Sequence, residues 1–124
     1  MTNLSVWVLQ VLVAAVFLFS AVTKGSWSKE RLVAAGQTGV APVPLPLLRF
    51  VATMELAGVL GLLLPWSTGV ARVLTPLAAV GLGMIMIGAA SVHLRLGEPR
   101  TALGNLAILA ACTIIAVTRL TALT

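Results

Sequence analysis

Four stretches of the chain carry almost nothing but apolar side chains: about Leu4 to Thr23, Leu45 to Leu64, Val70 to His93 and Ala102 to Leu120. Each is close to the ~20 residues that an α-helix needs to cross a hydrocarbon layer about 30 Å thick. Polar residues, Gly and Pro collect in the connections between them. The pattern predicts an all-α, polytopic membrane protein, an up-and-down bundle of four transmembrane helices forming one domain over residues 1–124. No Lys or Arg precedes the first run, which is long for a signal peptide, so it is read as a span of the mature protein.

Only the first connection, Lys24 to Pro44, is long. Ser28 is placed to cap a short helix from Lys29 to Ala35, with Trp27 and Leu32 as a hydrophobic staple and Gly36 as the stop. That helix is expected to lie in the membrane interface. Pro42, Pro44 and Pro46 then favour extended backbone leading into the second span. Trp66 to Gly69 reads as a short turn, and Leu94 to Thr101 as a small polar loop. Trp7 and Trp66 would mark one membrane face and Trp27 the other. Small residues recur four apart at Ala21/Gly25, Ala57/Gly61, Ala79/Gly83 and Ala107/Ala111, a spacing that lets helices approach closely. Pro76 falls in the first two turns of the third span, where a proline disturbs least.

Composition narrows the class. Of 124 residues 60% are hydrophobic and 9% charged, more apolar surface than a soluble domain of this length can bury. The net charge of +5 comes from basic residues scattered singly near span ends. They form no aromatic-interleaved stripe, so nucleic acid is rejected as a partner and the lipid bilayer, with its anionic headgroups, is preferred. Lys24, Lys29, Arg31, Arg95 and Arg100 lie toward the loop face, against Arg72 and Arg119 toward the terminal face. The count places the loops in the cytoplasm. One cysteine, Cys112, excludes an intrachain disulfide or thiolate cluster and reads as a small core residue.

Glu55 is the residue most at odds with its surroundings. Leucine fills eight of the twenty positions from Leu45 to Leu64, and the acid stands near their middle. Translocon scales set about 3 kcal/mol against an acid at that depth and about 0.5 kcal/mol in favour of each leucine, so the span still inserts. A carboxyl group there needs a proton or a cation. Chain direction brings Lys24, Arg49, His93 and Asn105 toward the same half of the bundle, one from each span. Lys24 would lie about 4.5 Å inside the interface and Glu55 about 13 Å below Pro46. Arg49, six residues before Glu55, is about 240° away around the helix and cannot pair with it. Lys24 and His93, from other helices, are the better partners. The bland alternative is that Glu55 is a hydrogen-bonded glue residue, with Lys24 and His93 marking membrane boundaries and Arg49 snorkelling. One His and one buried acid are too few for a metal site.

Three segments then carry a resemblance: Phe17-Leu18-Phe19-Ser20-Ala21-Val22-Thr23-Lys24, the run Met54-Glu55-Leu56-Ala57-Gly58-Val59-Leu60-Gly61-Leu62-Leu63-Leu64-Pro65, and Met86-Ile87-Gly88-Ala89-Ala90-Ser91-Val92-His93. The chain resembles the DoxX-like family of small bacterial four-helix membrane proteins over nearly its whole length. Val40 and Ala41 separate Gly39 from Pro42, which that family places almost adjacent. The resemblance implies an inward-facing Lys/Glu/His set, here Lys24, Glu55 and His93, and a multi-pass location in the bacterial inner (plasma) membrane. Relatives differ in role, as subunits of a thiosulfate:quinone oxidoreductase, in redox homeostasis, or in assembly of partner proteins.

Two functional expectations follow. In the first, the site binds or transforms a lipophilic small molecule, a quinone or an epoxide- or carbonyl-bearing metabolite. Glu55 and His93 would exchange protons, Lys24 would stabilise an oxyanion, and Arg49 and Asn105 would contact the ligand. No cofactor is expected beyond a quinone as ligand or substrate. In the second, the chain is a non-catalytic accessory subunit or chaperone that docks on a partner membrane protein or on copies of itself. A proton or ion path is disfavoured, because the polar residues stop short of the terminal face.

Overall fold

The computed structural model describes residues 2–124. Four long helices, α1 (Asn3–Ser26), α3 (Leu45–Thr68), α4 (Leu74–Arg95) and α5 (Pro99–Thr121), are each long and apolar enough to cross a membrane. They alternate in direction and pack as a ring in the order α1, α3, α4, α5, with α5 returning to α1. Ten buried residues form the central core, among them Phe17, Leu62, Leu82, Met86, Cys112 and Ile115. Large apolar side chains elsewhere, such as Phe19, Leu60, Met84 and Leu103, stay exposed on the outer surface, where hydrocarbon is their solvent.

The short helix α2 (Lys29–Ala34) is built as its sequence suggests. Ser28 accepts from the Arg31 amide at 3.1 Å, Leu32 is fully buried against Trp27, and Gly36 takes φ of 101° at the stop. Arg31 lies over the Trp27 ring, 4.0 Å from its centre. The prolines that follow do not simply extend the chain. Thr38–Val40 forms a 3-10 turn and Ala41 is helical, so the segment folds down onto α4 before Pro44 starts α3.

Two boundaries shift for identifiable reasons. α3 continues through Pro65 to Thr68 and stops at Gly69 in the left-handed region. Pro65 brings no N–H for the carbonyl four residues earlier, that of Gly61. Thr75, fully buried on α4, donates its hydroxyl to that carbonyl at 2.9 Å and replaces the lost bond. α4 begins only at Leu74, because Ala71 takes φ of 51° in the preceding turn. Close approach between these helices needs Gly61, where an added Cβ would lie 2.7 Å from the Ala78 Cβ.

Candidate functional site

At the loop end of α1, Lys24 turns inward. Its Nζ donates to Glu55 Oε1 on α3 at 2.9 Å, with the Lys24 side chain 17% exposed and Glu55 wholly buried. The second carboxylate oxygen, Oε2, is buried with no partner in the protein. Arg49 lies elsewhere in the arrangement: its Nη1 donates to the Lys24 carbonyl, closing the end of α1 and fixing the backbone from which Lys24 reaches. Thr23 is held the same way, donating to the Phe19 carbonyl and accepting from Gln37 Nε2 at 2.9 Å.

His93, in the last turn of α4, does not meet Glu55. It pairs with Glu98 instead, Nδ1 to Oε1 at 2.8 Å. Local backbone brings this about. Gly97, at φ of 75°, turns the chain back so that the Glu98 amide reaches the His93 carbonyl at 2.8 Å. The Glu98 side chain then lies against the ring rather than capping α5, which starts at Pro99. Thr38 Oγ1 lies 2.8 and 2.7 Å from the two Glu98 oxygens and shares its single proton between them. These bonds hold the Glu98 carboxyl below the usual carboxylate range, the His93 bond foremost and Thr38 next. An ionised carboxylate accepts only, so Nδ1 carries the proton. Nε2 is then left to face Gly39, where an added Cβ would come within 2.8 Å of it.

Lys24, Gln37, His93, Thr101 and Asn105 share the wall of one cavity of about 480 Å³. All four long helices and the first connection enclose it, and the rest of its lining is largely apolar, with Phe17, Leu48, Met86 and Ile108 prominent. Val16 and Leu47, each about half exposed, carry it out toward the lipid-facing surface. Asn105 Nδ2 is buried and without a hydrogen-bond partner. Glu55 and Arg49 are not on the wall: the acid stands behind Lys24, and Arg49 braces it.

The model of the DoxX-like family matches residues 8–115. The chain belongs to the DoxX-like family. No curated protein and no solved structure matches it. The DoxX-like match takes in Lys24, Glu55 and His93, and also Gln37, Thr38 and Glu98, which reading the sequence overlooked. Glu98 sits in what looks like an ordinary surface loop, and only the order His-x-x-x-Gly-Glu-Pro hints that a left-handed turn folds it back. In this DoxX-like protein two carboxylates thus serve two basic groups, each acid holding one base at the edge of a shared apolar cavity.

Proposed function

We propose that this multi-pass membrane protein binds a lipophilic small molecule in the loop-half cavity and exchanges protons with it. One observation carries the reading: Lys24 and His93, each oriented by its own carboxylate, border a mostly apolar cavity of a size suited to small organic ligands. A molecule with one or two polar oxygens on a hydrophobic body, such as a quinone or an epoxide- or carbonyl-bearing metabolite, suits that lining. Asn105 Nδ2 offers it an unused donor. His93 Nε2 would accept or return a proton, and Lys24 would stabilise negative charge on oxygen. Glu55 acts through Lys24, keeping the ammonium in place and drawing its proton back as the ligand's charge changes. Entry from the bilayer fits a bacterial plasma membrane, with the loops on the cytoplasmic side.

The test must separate a working site from structural glue. Lys24→Met strands a buried carboxyl group and should lower stability by about 3 kcal/mol, measured by unfolding in micelles. The double variant Lys24→Met/Glu55→Met should recover most of that loss yet bind a ubiquinone analogue or other lipophilic carbonyl probe at least about tenfold more weakly. Gly39→Ala, which crowds His93 Nε2 and leaves both acids alone, should weaken the same binding. Full binding by the refolded double variant would end the proposal. Purification from native membranes with a stoichiometric protein partner, and no small molecule, would favour the accessory-subunit reading.

A further inference from the structure

The terminal half of the bundle holds a second polar cluster that the cavity does not use. Gln10, fully buried in α1, donates through Nε2 to the Leu62 carbonyl at 2.6 Å. Its Oε1 accepts from Arg119 Nε at 2.6 Å, and Asn3 Oδ1 accepts from Arg119 Nη1 at 2.7 Å. Arg119 is only 3% exposed, and its remaining nitrogen, Nη2, is buried with no partner. The guanidinium lies 4.6 Å from the centre of the Trp66 ring and 5.5 Å from that of Trp7. Arg72, which is exposed, lies 4.2 Å from the same Trp66 ring.

Two cations therefore share one indole without a counter-charge. The three acidic side chains, Glu30, Glu55 and Glu98, belong to the loop half, and among the described residues no carboxylate pairs with Arg72 or Arg119. Neutral amides orient Arg119 but leave its charge intact, and a buried charge without an opposite partner is costly. The indole face attracts both cations and neutralises neither. The free donor, the two like charges and the interfacial tryptophans all call for an anion from outside the chain.

We propose that Arg72, Trp66 and Arg119 form a binding site for a phosphate group, supplied by an anionic lipid headgroup or by free phosphate. Guanidinium forks match phosphate oxygens in geometry and charge. Tryptophans at a span end stand at headgroup depth. Exposed Arg72 makes the first contact, and Arg119 contributes a second, pre-oriented charge. Its Nη2 is buried and the guanidinium lies against the Trp66 ring, so full engagement disturbs the packing around that indole, which gives the event an optical signature.

Tryptophan emission of the full-length protein in neutral detergent is titrated with short-chain phosphatidylglycerol, short-chain phosphatidylcholine and inorganic phosphate. The expected result is a saturable change with phosphatidylglycerol that is lost in Trp66→Phe and weakened about tenfold in Arg72→Gln. Arg72 is outside the core, so its variant keeps the fold; Arg119→Gln should act in the same direction. A matching response to inorganic phosphate would assign the site to the free ion, and a response to the lipid alone would assign it to the headgroup. No saturable response, an equal response to phosphatidylcholine, or an unchanged response in Arg72→Gln would overturn the proposal.

Discussion

Glu98 decides which nitrogen of His93 is protonated, and that decision depends on pH in a known direction. Its carboxyl is held below the ordinary value of 4.5 by the His93 and Thr38 hydrogen bonds. A group whose folded value is depressed stabilises the fold above its unfolded value and loses that contribution as pH falls through the folded one. The native protein should therefore exceed Glu98→Gln in melting temperature near neutral pH, and the gap should close in acid below 4.5. Amide protection in the Thr38–Val40 turn, corrected for the slower intrinsic exchange in acid, should fall over the same interval, since Thr38 loses its charged acceptor. A gap that persisted unchanged in acid would show that Glu98 acts by packing alone. The pairing of Lys24 with Glu55 was legible in sequence because an acid among leucines demands a cation from another span. The Glu98 pairing was not, because a loop glutamate has water as an adequate partner and nothing in its own position demands another.

Between elements, the contact that most needs explanation joins α3 to α4. The apolar pattern ends the second span at Leu64, before Pro65, yet the helix passes through the proline, because Thr75 supplies the donor that it lacks. Polar satisfaction across two helices thus overrode a local rule, and no single-segment reading could have placed the boundary. Thr75→Val should destabilise the bundle by about 1 kcal/mol, the net value of a buried hydrogen bond, while Thr75→Ser should be nearly neutral. Pro65→Ala restores an N–H to α3, so the Thr75→Val loss should shrink in that background. Unfolding of the native protein and these variants in micelles checks this, and equal Thr75→Val losses with and without Pro65 would refute the account. The spacing of small residues was more informative at this scale. Of the small-residue pairs, Ala21/Gly25, Ala57/Gly61 and Ala79/Gly83 each supply a glycine packed against a neighbouring helix, at Ala52, Ala78 and Leu109.

Across the whole molecule, the two polar clusters occupy opposite ends with an apolar layer between them. Gln10 and Lys24 are fourteen residues apart on α1, about 21 Å along the axis, and Asn105 and Arg119 have the same separation on α5. Val13, Phe17, Val59, Leu62, Leu82, Met86, Cys112 and Ile115 fill the space between, all buried. Sequence showed the loop-half cluster through its charges but not the other, because Gln10 is uncharged and Arg119 looks like a rim residue. Such a layer offers no chain of donors and acceptors for a proton, and separation of this size leaves little direct coupling. Destabilisation by Glu55→Gln and by Arg119→Gln should therefore add to within about 0.5 kcal/mol in the double variant. Proteoliposomes holding the native protein should retain an imposed pH gradient as long as empty liposomes do. A faster collapse that Glu55→Gln abolished would mean that water threads the Phe17 layer, and the cavity would then be one end of a path rather than a closed site. The cavity's position favours the first outcome: its polar wall reaches no deeper than Ser20, one turn below Lys24, and what continues toward Arg119 is Phe17, Met86 and Ile108.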